Sequence, residues 1–152
     1  MLVRTHIAIN ALFIILFLSR VSKLWLFVPI ALFATILPDI DSGFSTIGRF
    51  QSSKLIQFFS KHRGMFHSFT VCIIISVILA AVLPVLALPF FLGYSLHLLA
   101  DTFTIEGIRV FWPLPIKSSW RIRTGSRIET TLFLAFLLID VFALIVVIRG
   151  LI

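Results

Sequence analysis

Two polar segments, residues 39–68 and 104–130, divide a chain that is otherwise a series of apolar runs, and this alternation restricts it to a bundle of helices in a membrane. A soluble domain of 152 residues has no core that would take up a 60% hydrophobic, 12% charged composition with a mean hydropathy of +1.15. The expected fold class is therefore all-α, an integral membrane bundle of about five helices forming a single domain over residues 1–152.

The first apolar run, residues 7–19, reads as a membrane helix rather than a signal peptide, because no small-residue cleavage site follows it and a second run comes at once. Arg20 to Lys23 makes the turn, and residues 24–37 return until Pro38 stops the helix. A short amphipathic helix is expected around Lys54 to Ser60, and Ser68 is placed to cap the next helix. The run from Phe69 to Phe103 exceeds one span of about 20 residues, so it reads as a hairpin turning over Leu83 to Pro89. The last helix is expected from about Thr131 to Ile148, and the single cysteine, Cys72, as a packing residue.

Five crossings put both polar segments and the N-terminus on one side. That side carries Arg4, Arg49, Lys54, Lys61, Arg63, Arg109, Lys117, Arg121, Arg123 and Arg127, with Arg20, Lys23 and Arg149 opposite, which makes it cytoplasmic. The net charge of +7 is thus expected to face anionic lipid, and with no basic, aromatic-interleaved module in the chain, nucleic acid is not an expected partner. Trp112 and Trp120 read as interfacial anchors, and Arg121, Arg123 and Arg127 as headgroup contacts.

The same topology gathers the metal-binding residue types at one end. His6 opens the first helix, Asp39 and Asp41 close the second, His62 and His67 precede the third, and His97 and Asp101 lie near the end of the fourth. His97 and Asp101 are one helical turn apart and share a face, with Tyr94 beside them as a supporting residue. Asp39-Ile40-Asp41 after Pro38 is expected to be extended, which would place both carboxylates on one side. In one helix His62 and His67 would point about 140° apart. Gly64 between them permits a sharp turn that lets them converge.

Four imidazoles and three carboxylates exceed the needs of one tetrahedral ion and suit two divalent ions, with zinc, manganese or iron favoured over calcium by the mixed nitrogen and oxygen donors. Each residue also has a structural explanation: His6 as a helix-start polar group, Asp39 and Asp41 as turn residues, His62 and Arg63 as topology markers. Ser126 to Glu129 has the spacing of a capping box, which accounts for Glu129 without any role at the site; the alternative is support of the ligands. Glu106 reads as a loop carboxylate, and Asp140 as a mid-helix residue bonded to another helix or protonated.

Thr5-His6, Leu37 to Asp41, His62 to Ser68, and Gly93 to Thr104 leading to Gly107 and Trp112-Pro113, with Arg123 to Glu129, together resemble the membrane-bound metal-dependent hydrolases of the LexA-regulated YdjM type. The resemblance implies a helical membrane protein with a divalent-metal hydrolase site and a distant similarity to zinc-dependent phospholipase C. The expected reaction is cleavage of a phosphoester of a lipid or lipid-like substrate by a metal-activated water. Arg63 and Asp101 are the candidate catalytic residues, Arg63 as neutraliser of transition-state charge. The alternatives are a non-catalytic membrane protein with a structural metal and a metal transporter.

Overall fold

The computed structural model describes residues 1–41 and 65–150, with the side chains of Ile40 and Asp41 excepted. The described chain is helical: α1 (Val3–Phe17), α2 (Leu24–Ile36) continuing into a 3-10 helix (Leu37–Asp41), α3 (Phe69–Val82), α4 (Pro84–Thr102) and α5 (Arg127–Ile148). A two-stranded antiparallel ribbon, β1 (Ile108–Arg109) with β2 (Lys117–Ser118), joins α4 to α5. The short helix expected at Lys54 to Ser60 lies outside the described residues.

Local chemistry accounts for several boundaries. Ser68 caps α3, its hydroxyl accepting from Val71 N–H at 3.4 Å, and Ser126 caps α5, accepting from Glu129 N–H at 3.3 Å. That cap starts α5 at Arg127, four residues before the expected Thr131. The hairpin between α3 and α4 is also tighter than expected. Only Leu83 separates the two helices, because Pro84 takes the first helical position, where its missing N–H costs nothing, and Pro89 lies inside α4.

The Asp39-Ile40-Asp41 stretch is 3-10 helical, not extended. Pro38 presets a φ that suits a helical turn as well as an extended chain, and the 3-10 form continues α2 without needing the proline N–H. Successive residues of such a helix are rotated by about 120°, so the two-residue alternation of an extended segment does not apply here.

The central element is α4, packed against α1, α2 and α3, while α5 lies along α1. Its closest approach is to α2 at Gly93, where an added Cβ would lie 2.1 Å from the Ala31 carbonyl oxygen and 3.1 Å from Ala34 Cβ. Ala34, Cys72, Phe90, Tyr94, Leu98 and Ile108 form one buried cluster, which puts Cys72 in the packing role expected of it. Outward, α3 exposes Ile74, Val77 and Ile78, and α5 exposes Leu138, Val141 and Phe142. Apolar surface of this kind is at home in lipid.

Among the described residues two helices are long and apolar enough to cross a membrane: α4, with mean hydropathy 1.4, and α5, with 2.9. At 1.5 Å per residue α1, α2 and α3 reach only about 20–23 Å against a hydrocarbon core of about 30 Å.

Candidate metal centre

One end of the bundle collects the first turns of α1 and α5, the last turns of α2 and α4, and the residues that lead into α3. This is the gathering that alternate helix directions predict. It brings together five of the expected ligands, His6, Asp39, His67, His97 and Asp101. His62 and Arg63 lie outside the described residues, as does the side chain of Asp41.

His97 is the best defined of the five. Its Nδ1 donates to the Thr35 carbonyl at 2.7 Å, and since a carbonyl only accepts, the neutral ring must keep its lone pair on Nε2. Thr35 lies in the last turn of α2, where carbonyls have no obligatory intrahelical donor, so α2 ends in a way that orients His97. Nε2 is buried without a hydrogen-bond partner among the described residues, 3.8 Å from Asp39 Oδ1 and 3.7 Å from Asp101 Oδ2. The same two oxygens lie 3.5 Å and 3.9 Å from His67 Nε2.

These separations are those of a ligand set. A tetrahedral ion with bonds of about 2.0–2.1 Å spaces its donors about 3.3–3.4 Å apart. These four His–Asp spacings exceed that by up to about half an ångström, and the donors fall into two overlapping sets, His6 with Asp39 and His97, and His67 with His97 and Asp101, each with ligand atoms within 4.8 Å of one another. On the other side of Asp101, Oδ1 lies 3.3 Å from His6 Nε2 and against the Met1 amino group. The His6 ring stacks on His97 at 3.8 Å between centroids, and His6 Nδ1 has no hydrogen-bond partner among the described residues. Buried imidazole nitrogens without a hydrogen-bond partner among the described residues, beside two carboxylates, are the donors a divalent ion uses, so the set fits such an ion.

Burial by itself would raise the Asp39 carboxyl, but its hydrogen bond with His67 and the neighbouring His97, His6 and His67 imidazoles outweigh this and hold it below the ordinary carboxylate range. Asp39 is therefore ionised at neutral pH, the form a metal requires.

The supporting residues divide. Tyr94 is fully buried one turn before His97, and its hydroxyl donates to the Phe66 carbonyl at 2.6 Å, which fixes the backbone just before His67. Tyr94→Phe is expected to lower stability by about 1 kcal/mol, read from denaturation in detergent, because that carbonyl loses its donor. Glu129 does not enter the cluster. Its Oε1 accepts from Leu2 N–H at 2.5 Å and Thr5 Oγ1 at 3.1 Å, and its Oε2 from Gly125 N–H at 2.5 Å, so it caps α1 as well as the turn before α5 and holds the residue next to His6.

Asn10 and Thr35 were not legible as site residues. Asn10 donates to the Ala31 carbonyl at 3.0 Å and to the Thr35 hydroxyl, pinning α1 to the end of α2 that holds His97. The available signal was its spacing, four residues after His6 on the same helical face. Glu106 accepts from Thr124 at 3.3 Å in the exposed loop, and Asp140 is buried within α5. Arg121, Arg123, Arg127 and Trp120 are exposed, and Trp112 lies at the edge of exposure.

The model of the YdjM inner membrane protein family matches residues 1–151. The chain belongs to that family. The family is one of inner membrane proteins, so the chain is a membrane protein, and the exposed apolar faces of α3 and α5 accord with that. No curated protein and no solved structure matches the chain.

Proposed function

We propose that this YdjM family member is a divalent-metal-dependent hydrolase of the membrane that cleaves a phosphoester of a lipid or lipid-like molecule at the cytoplasmic face. The observation that carries the reading is the Nε2 lone pair of His97, held by the Thr35 carbonyl toward Asp39 and Asp101 at donor spacings close to those of a tetrahedral ion. Zinc is the first choice of metal, with manganese and iron compatible with the same donors.

His6, Asp39, His67, His97 and Asp101 would hold the metal, as two overlapping donor sets that share His97. Asp41 and His62 are the further ligands the sequence offers. An ion in such a site supplies an acidified water and positive charge for phosphoryl oxygens. Arg63 neutralises charge developed in the transition state, and exposed Arg123 and Arg127 draw in an anionic headgroup. The cytoplasmic orientation is supported by the ten-to-three distribution of Lys and Arg.

The test is metal content together with phosphomonoesterase and phosphodiesterase assays on lipid substrates, comparing wild type with Asp101→Asn and His67→Ala. Each variant is expected to lose bound ion and turnover by more than the roughly 10–100-fold typical of a partner that only supports a ligand. A second reading is favoured by one observation, the near-complete burial of His6, His67, His97 and Asp101. A structural ion closed off by its ligands would tie the helix ends together. Stoichiometric ion without turnover on a broad panel decides for that reading, and absence of ion in wild type overturns both.

A further inference from the structure

A cavity of about 350 Å³ lies between α1, α4 and α5, within the range of about 300–1,000 Å³ common for ligand sites. Every side chain lining it is apolar, and the lining runs along the last two turns of α4 from Leu96 to Ala100 and on to Phe103 just past its end. One end abuts the His/Asp cluster: Ala100 and Met1 line it, Asp101 follows Ala100, and the Met1 amino group contacts Asp101. At that same end Ile122 lines the cavity between exposed Arg121 and Arg123. The other end is closed in by Phe13 and Phe136, deeper along α1 and α5.

We propose that this cavity is the seat of one alkyl chain of a membrane lipid whose phosphate head reaches the metal centre. Three observations single out that occupant. A peptide would bring backbone N–H and C=O groups that an all-apolar wall leaves unpaired, whereas an alkyl chain brings none. Exposed Arg121 and Arg123 flank the end next to the cluster and are complementary to an anionic head. The third wall is α5, a helix long and apolar enough to cross a membrane and with only 11% of its most apolar window buried, so a single helix separates the cavity from the exposed apolar side of the bundle. The destination of the head rests on the hydrolase reading; the seat of the chain stands on the cavity itself.

The bundle contains its own control. A second cavity of about 300 Å³ lies between α3 and α4, lined by residues that include Ile73, Val77, Leu88 and Phe91, at the half of α4 remote from Asp101. Lipid that merely fills crevices would occupy both.

The probe is dodecyl phosphate carrying a photoreactive diazirine near its chain end, added to the purified, zinc-supplemented protein in nanodiscs and mapped by peptide mass spectrometry. Label is expected on Phe13, Leu96 and Phe136, about tenfold above that at Val77 and Leu88, and displaced by dodecyl phosphate but not by dodecanol. Leu132→Trp, which fills the cavity, is expected to cut that label about tenfold with zinc content unchanged, and Ile9→Phe to act in the same direction. Equal labelling of the two cavities overturns the proposal, as do displacement by dodecanol as effective as by dodecyl phosphate and a cross-linked dimer joined through Phe13 or Phe136. Failure of the metal reading is seen separately, as absence of zinc in a wild type whose label still follows the cavity.

Discussion

Gly93→Ala is expected to destabilise the protein by about 2 kcal/mol or more, although alanine is the better helix former by about 1 kcal/mol. The new methyl carbon would lie 2.1 Å from the Ala31 carbonyl oxygen, and backbone cannot step aside as a long side chain can. The two helices must separate, and this pair carries the centre: His97 follows Gly93 by one turn of α4, and its anchor, the Thr35 carbonyl, follows Ala31 by one turn of α2. The variant should therefore show both a lower denaturation midpoint in detergent and weaker zinc binding in a competition assay. An unchanged or raised midpoint would contradict the close approach of α2 and α4.

Glu129→Ala is expected to cost about 2–3 kcal/mol, since three donors lose their acceptor at once, the Thr5 hydroxyl in a fully buried place and the other two partly open to water. The three are Leu2 N–H, the Thr5 hydroxyl and Gly125 N–H. Glu129→Gln retains one carbonyl oxygen and should recover part of the loss, though its amide NH₂ turns a donor toward donors. Because Thr5 adjoins His6, the alanine variant should also weaken zinc binding by about tenfold, as loss of a ligand-orienting partner does elsewhere. Equal stability of wild type and Glu129→Ala, followed by denaturant titration, would show that α1 and α5 are held by packing alone.

The two variants differ in how visible their cause is in the chain. Glu129 three residues after Ser126 announces a capping box, and the Ser126 half of that box is present. The carboxylate itself works elsewhere: its bond to Leu2 joins residues 127 apart in sequence, and nothing in local spacing predicts it. Gly93 opens the stretch that carries the family resemblance, but local spacing gives no reason for it, because what makes it indispensable is a carbonyl on another helix. Asp39 and Asp41 show the opposite error. A local rule about prolines predicted an extended stretch, whereas the continuation of α2 supplied a 3-10 helix.

What the sequence determined by itself was what local and additive free energies decide. Transfer of apolar runs out of water set the helices and their approximate limits, serine hydroxyls set the starts of α3 and α5, and the one-turn spacing of His97 and Asp101 put them on a common face. Alternate helix directions then sent the ligand types to one end. Tertiary structure alone decided how those side chains are held there. The Thr35 carbonyl that orients His97, the Asn10 amide that pins α1 to α2, and the Glu129 carboxylate that caps a helix without a capping residue of its own are all partners brought from distant positions. Such partners are selected by which helix faces pack closely enough to leave no room for water, and that is a property of the folded bundle rather than of any stretch of its chain.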